Sequence, residues 1–166
     1  LLIVTLIATS CSPGPTAPAV DTDAGGTSCI DAFCISYPAG WVVAEEGPTH
    51  ISLANPASPA ALATIAPINQ QALVENAGGS WPAPTTEVVA AFWRLLADAD
   101  VADFDRLERL TGGAFRSEGS YEDGRLWHLI IPGDGNAGIG VEVRGPNASW
   151  EAHADAIFGS VEVLGS

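Results

Sequence analysis

The chain has 166 residues, the size of one domain with a short tail, and carries twenty acidic against six basic side chains for a formal charge of −14. All six bases are arginine, so phosphate backbones and anionic headgroups repel it; nucleic-acid binding and polybasic membrane docking are excluded as primary roles. The 47% hydrophobic content is inflated by alanine, yet enough Leu, Ile, Val, Phe and Trp remain for a core, which argues against disorder over the whole length.

The run Leu1–Ala8 is apolar but too short to span a bilayer. It has the length of the hydrophobic region of a signal peptide, and residues 1–10 are expected to be that region, with its basic start lying upstream. Ala8-Thr9-Ser10-Cys11 resembles a bacterial lipobox, in which small residues precede a cysteine that becomes lipidated; Ala8 stands where Leu or Val is usual. Residues 11–28 are rich in Pro, Gly and Thr, with Val20 the one large apolar residue after Cys11, and are expected to form an extended tether reaching roughly 50 Å. Cys11 is thereby assigned to a lipid anchor. Cys29 and Cys34 remain as an even pair at the start of the folded part, residues 29–166. Outside the cytoplasm a disulfide between them would persist, two free thiols are the alternative, and two cysteines alone make a poor zinc site.

Along the domain, Cys34–Tyr37, Trp41–Glu45 and His50–Ala54 read as strands separated by Pro38-Ala39-Gly40 and Gly47-Pro48. Ala61–Ala66, bracketed by Pro59 and Pro67, is too short for a good helix and is read as a strand. Thr85 or Thr86 can cap a helix with Glu87 in its first turn and Val88, Phe92, Leu95 and Leu96 on one face. The acidic stretch Asp98–Asp105 ends it. Two or three strands follow between Phe104 and Tyr121, broken at Gly112-Gly113, and Asp123-Gly124 is a hairpin turn. Leu126–Ile131 reads as a buried strand and Ile139–Arg144 as a strand with one solvated face. A last helix places Trp150, Ala154, Ile157 and Phe158 on one side, and Val161–Leu164 closes as a strand. This order implies an α+β fold, a central antiparallel β-sheet with helices packed on its faces.

With these elements placed, Ile35-Ser36-Tyr37-Pro38-Ala39-Gly40-Trp41 resembles the opening strand and Tyr-Pro-x-Gly-Trp turn of PsbP-like domains, which share a fold with the Ran-binding Mog protein. Ile51–Pro56 and the tail Ala156–Val163 are similar to the second strand pair and closing helix–strand of that group. The resemblance implies an α/β/α sandwich over nearly all of 29–166, and a lipid-anchored bacterial protein. Plant members are accessory subunits of a membrane complex; the residues matched here are structural, so no functional residue is carried over.

Few constellations suggest chemistry. Gly133-Asp134-Gly135-Asn136-Ala137-Gly138 satisfies G-x-G-x-x-G but leads into a strand instead of a helix, so it is read as a hairpin loop without a nucleotide. Asp98, Asp100, Asp103 and Asp105 could collect a hard cation such as Ca²⁺, or form a solvated loop; the spacing is not that of an EF-hand. His50, His128 and His153 form no H-x-x-x-H pair, and a Ser-His-acid triad could arise only in space. Asn147-Ala148-Ser149 reads as a helix cap. Trp81, in a long polar stretch, either packs onto the sheet edge or offers a contact surface. No cofactor is expected. The chain reads as a non-catalytic binding or accessory module, lipid-anchored to the bacterial cell membrane on its extracytoplasmic side, with an envelope protein as partner. The alternative is a lipoprotein binding a small ligand or divalent cation.

Overall fold

A computed structural model describes residues 25–99 and 102–164. The described residues form two antiparallel sheets and three α-helices. In the first sheet, β1 (Gly26–Ile30) and β2 (Phe33–Tyr37) form a hairpin about Asp31-Ala32, and β10 (Val161–Val163) pairs with the far side of β2. The second has seven strands: β3 (Val42–Glu46), β4 (Ile51–Asn55), β5 (Ser58–Asn69), β6 (Ala102–Arg109), β7 (Phe115–Tyr121), β8 (Gly124–Pro132) and β9 (Ala137–Gly145), in the spatial order β3-β4-β5-β9-β8-β7-β6. The helices are α1 (Gln70–Asn76), α2 (Thr85–Asp98) and α3 (Glu151–Phe158).

The seven-stranded sheet is the middle layer. Strand β8 shows this most clearly, because it is buried on both sides. Trp127 and Leu129 join Phe33, Ile35, Trp41, Trp150 and Ile157 in a core beneath α3 and the small sheet. Leu126 and Ile130, one residue out of phase, join Val74, Val88, Val89 and Trp93 beneath α1 and α2. Helices thus lie on both faces of a central antiparallel sheet, and the α+β reading holds. The Tyr37–Trp41 landmark works as the sequence implies: Gly40 takes a positive φ of 84° in the turn and Trp41 is buried.

Several boundaries differ from expectation. Strand β1 begins at Gly26, inside the stretch expected to be tether, because Gly26, Thr27 and Ser28 find partners in Tyr37, Ser36 and Ile35. Strand β5 runs through both prolines that were expected to bound it. Pro59 sits where the β4 register shifts between Asn55 and Ala54, and Pro67 lies beyond the last β4 partner, Ile51↔Ile65; neither is flanked by regular pairing on both sides. Helix α1 was not foreseen; Asn69 caps it, its side chain accepting from the Ala72 N–H at 3.0 Å. Pro84, with no side chain to cap, precedes α2, and Thr85 is its first helical residue. Its deepest residues are Val88, Val89, Ala91 and Trp93, a wider arc than the single stripe predicted, because α2 packs on both the sheet and α1. The loop Gly133–Asn136 joins β8 to β9 as a hairpin, as read. Asn147 accepts from the Ser149 N–H at 2.9 Å, the capping role expected of it.

Candidate functional site

The residues singled out by sequence fall into separate places. Cys11 and Asp100 lie outside the described residues. Cys29 and Cys34 face each other across the β1–β2 pair with Cα atoms 4.1 Å apart and form a disulfide, a staple at the entrance to the domain. Asp98 ends α2, whereas Asp103 and Asp105 lie in β6, not in a loop. The β6–β7 register shifts between Phe104 and Arg106, and Asp105 in that bulge is bound by Arg125 at 2.5 Å. Among the described residues no three His, Cys, Asp or Glu side chains gather as a metal site. Trp81 is half-buried and packs against the core under α1 and α2. His50 meets Glu45 at 3.4 Å, and buried His153 accepts from Trp41 Nε1 at 3.1 Å while stacked on Trp150.

Two features that the sequence did not single out stand at the margins of the α1–α2 layer. The first is an apolar groove of about 340 Å³ between α2 and β6. Val89, Ala90, Trp93 and Ala97 form one wall, Phe104 and Leu107 the other. Strand β6 is the last strand of the large sheet, so its outer edge faces away from β7 and pairs with no other strand among the described residues. Trp93 is fixed at the groove floor: its Nε1 donates to Ser117 Oγ at 2.8 Å and its ring packs against Phe92 and Phe104. The bulge explains why Phe104 and Leu107, three residues apart, share the α2 side, while Asp105 and Arg106 turn to the opposite side. Phe104 is 49% and Leu107 39% exposed, among the few large apolar side chains left in water.

The second feature is a polar row across the same face. Register places Ser52, Thr64, Glu142, His128 and Ser117 side by side on β4, β5, β9, β8 and β7. The row passes from solvent at Thr64 to full burial at His128 and Ser117 beneath α2. Ser117, His128 and Glu142 are thus adjacent, but no triad hydrogen bonding links them. Ser117 Oγ accepts from Trp93 and donates to the His128 carbonyl, and Glu142 Oε1 accepts from Arg144 Nε at 2.7 Å. The His128 ring stacks on Phe92 with centroids 3.6 Å apart, and its buried Nδ1 has no partner. Burial lowers its pKa to about 3, so the imidazole is neutral at physiological pH.

Comparison with known proteins concerns the fold. The solution structure of cyanobacterial PsbP (CyanoP) from Synechocystis sp. PCC 6803 matches 94% of this chain and 98% of its own, with a TM-score of 0.53 and 13% sequence identity. The chain has a PsbP-like fold. A 1.50 Å crystal structure from Bacteroides thetaiotaomicron VPI-5482 is also similar, over 81% of this chain at 16% identity and a TM-score of 0.40; the chain spans 46% of that protein's length. No protein-family profile matches the chain, and no curated protein matches it. At these identities the PsbP-like fold carries no site residues over, so the groove and the polar row rest on their own geometry.

Proposed function

We propose that the protein is a lipid-anchored, extracytoplasmic binding or accessory module that docks one protein partner at the α2–β6 groove and catalyses no reaction. The observation that carries this is the exposure of Phe104 and Leu107 on a strand edge, beside a groove walled by α2. Apolar side chains held open on a rigid support are the usual anchors of a protein interface. The free edge of β6 adds backbone donors and acceptors for an extended partner segment. With a chain charge of −14, the favoured segment is apolar with flanking basic residues. The expected anchor at Cys11 and the tether behind it would keep the domain near the membrane while leaving it free to search for that partner.

The test is brief cross-linking in the native host of the tagged full-length protein. It is run beside Cys11→Ser and a Phe104→Ser/Leu107→Ser variant. One dominant envelope protein, lost in the groove variant while its thermal unfolding is unchanged, is the expected outcome. Equal capture by the groove variant would remove the groove from the reading. Absence of any stoichiometric partner would remove the accessory role, and turnover by the purified protein would remove the non-catalytic one.

A further inference from the structure

Apart from Ser117, which holds Trp93, the polar row has no part in docking at β6, yet a buried histidine with an unpartnered nitrogen is a costly thing to keep in an apolar layer. It borders a cleft of about 340 Å³ between α1 and the β5–β9–β8 surface. Thr64, Glu142 and His128 form the polar side; Ile68, Leu73 and Phe92 form the apolar side. We propose that this cleft binds a small, neutral, polyhydroxylated molecule of sugar-ring size.

The chemistry of the lining selects that class. A hydroxyl both donates and accepts, and the cleft offers both functions: a carboxylate that accepts, a threonine hydroxyl that does either, and, beside Gly140, the Nε2 of an uncharged imidazole, which donates or accepts according to its tautomer. Arg144 already offsets the charge of Glu142, bonding Oε1 through Nε at 2.7 Å and Nη2 at 2.5 Å, so a cationic ligand gains little there. The Ile68, Leu73 and Phe92 side chains suit the C–H face of a ring. Glycine at 140 keeps the space beside His128 narrow but open: a Cβ there would lie 2.9 Å from Ile68 Cγ2 and 3.8 Å from His128 Nε2. The volume stands at the low end of ligand cavities, ~300–1,000 Å³, which fits one ring and not two.

The test titrates the full chain with glucose, N-acetylglucosamine and myo-inositol, with choline as the cationic comparison. It follows the imidazole nitrogens by long-range ¹H–¹⁵N correlation and binding heat by calorimetry. At least one hydroxylated probe is expected to shift the His128 nitrogens saturably while leaving those of His50 and His153 in place. Thr64→Val and Glu142→Gln should each weaken that binding about ten-fold, the loss of one good hydrogen bond. His128→Phe should abolish it while raising the melting temperature, because the orphaned nitrogen is gone. No shift with any hydroxylated probe at tens of millimolar overturns the proposal, as does binding of choline alone. Unaltered sugar affinity in Thr64→Val and Glu142→Gln also overturns it, whether or not His128→Phe folds. Each of these failures leaves partner docking at the α2–β6 groove untouched.

Discussion

Arg116 offers the sharpest test of how the α3 side of the fold is held. This β7 residue is 6% exposed and lies among four carboxylates: Glu151 at 2.6 Å, Asp155 at 3.2 Å, Glu118 at 3.6 Å and Glu108 at 3.8 Å. Replacing it by methionine keeps most of the apolar stem and removes the cation. Stranding one partner of a buried pair costs about 3–5 kcal/mol. Glu118, with a side chain only 14% exposed, is the acid stranded, but Arg106 at 3.6 Å and Arg125 at 4.0 Å remain beside it, which lowers its share to about 2 kcal/mol. Glu108, Glu151 and Asp155 are 44–56% exposed and together add about 1 kcal/mol. Arg116→Met should therefore lose about 3 kcal/mol near neutral pH, a fall in melting temperature of about 10 °C for a domain of this size. Urea unfolding followed by tryptophan fluorescence measures the first and calorimetry the second. Arg116→Met/Glu118→Leu, which removes both buried charges, should recover half of the loss or more. A single variant within ~0.5 kcal/mol of the parent would refute the reasoning, since surface pairs alone would then account for the network.

Four further outcomes are expected. The hydrogen bond from Arg116 holds the Glu151 carboxyl below the ordinary glutamate range, so its stabilisation is complete above that range and lost as pH falls through the depressed value; Glu151→Gln should flatten the acid side of the stability–pH curve. Desolvation raises Asp155 instead, so its ionisation opposes folding as pH rises, and Asp155→Asn should leave stability at neutral pH unchanged or higher. Cys29→Ser/Cys34→Ser releases a short loop and should cost about 2 kcal/mol in urea, with the difference vanishing in reductant. Trp93→Phe keeps the apolar groove but removes the donor to buried Ser117, so about 1 kcal/mol of stability should go while partner capture stays.

Where alternation or turn chemistry was strong, the fold was legible before the structure. Ile139–Arg144 and Leu126–Ile131 fall inside β9 and β8, each of which begins two residues earlier, the hairpin turn lies one residue before Asp123-Gly124, and the closing helix and strand fall where read. Local cues failed where tertiary pairing decides. Gly26-Thr27-Ser28 has no apolar signal and becomes strand because β2 offers an edge and Cys29 ties it there. Helix α1 has seven residues, too few for a period to emerge, and its one local signal is the cap at Asn69. The groove was hidden for a different reason. A bulge at Asp105 puts Phe104 and Leu107 on one side, which strict two-residue alternation would have placed on opposite sides. Alternation along β8 puts His128 on one face with Leu126 and Ile130, but its neighbours Glu142 and Ser117 are facts of register, which alternation within one strand cannot supply.

The two faces of the large sheet carry different burdens, and the difference follows from what covers them. Beneath α3 and the small sheet the core is continuous from Ile51 and Leu53 through Val141 and Val143 to Trp127, and the Arg116 network closes its far end. A change there is felt as stability. On the other face α2 lies over β6, β7 and β8, and α1 stands beside the end of β5, while Thr64, Leu62 and Val42 remain exposed. Two helices of seven and fourteen residues cannot roof seven strands. Their layer must therefore end twice, once against β6 and once above β5 and β9, and each ending leaves apolar side chains beside an opening. The groove and the cleft are these two endings. Trp93 and Phe92, adjacent on α2, line one each, and Ser117 and His128 bond or stack against them from the sheet below.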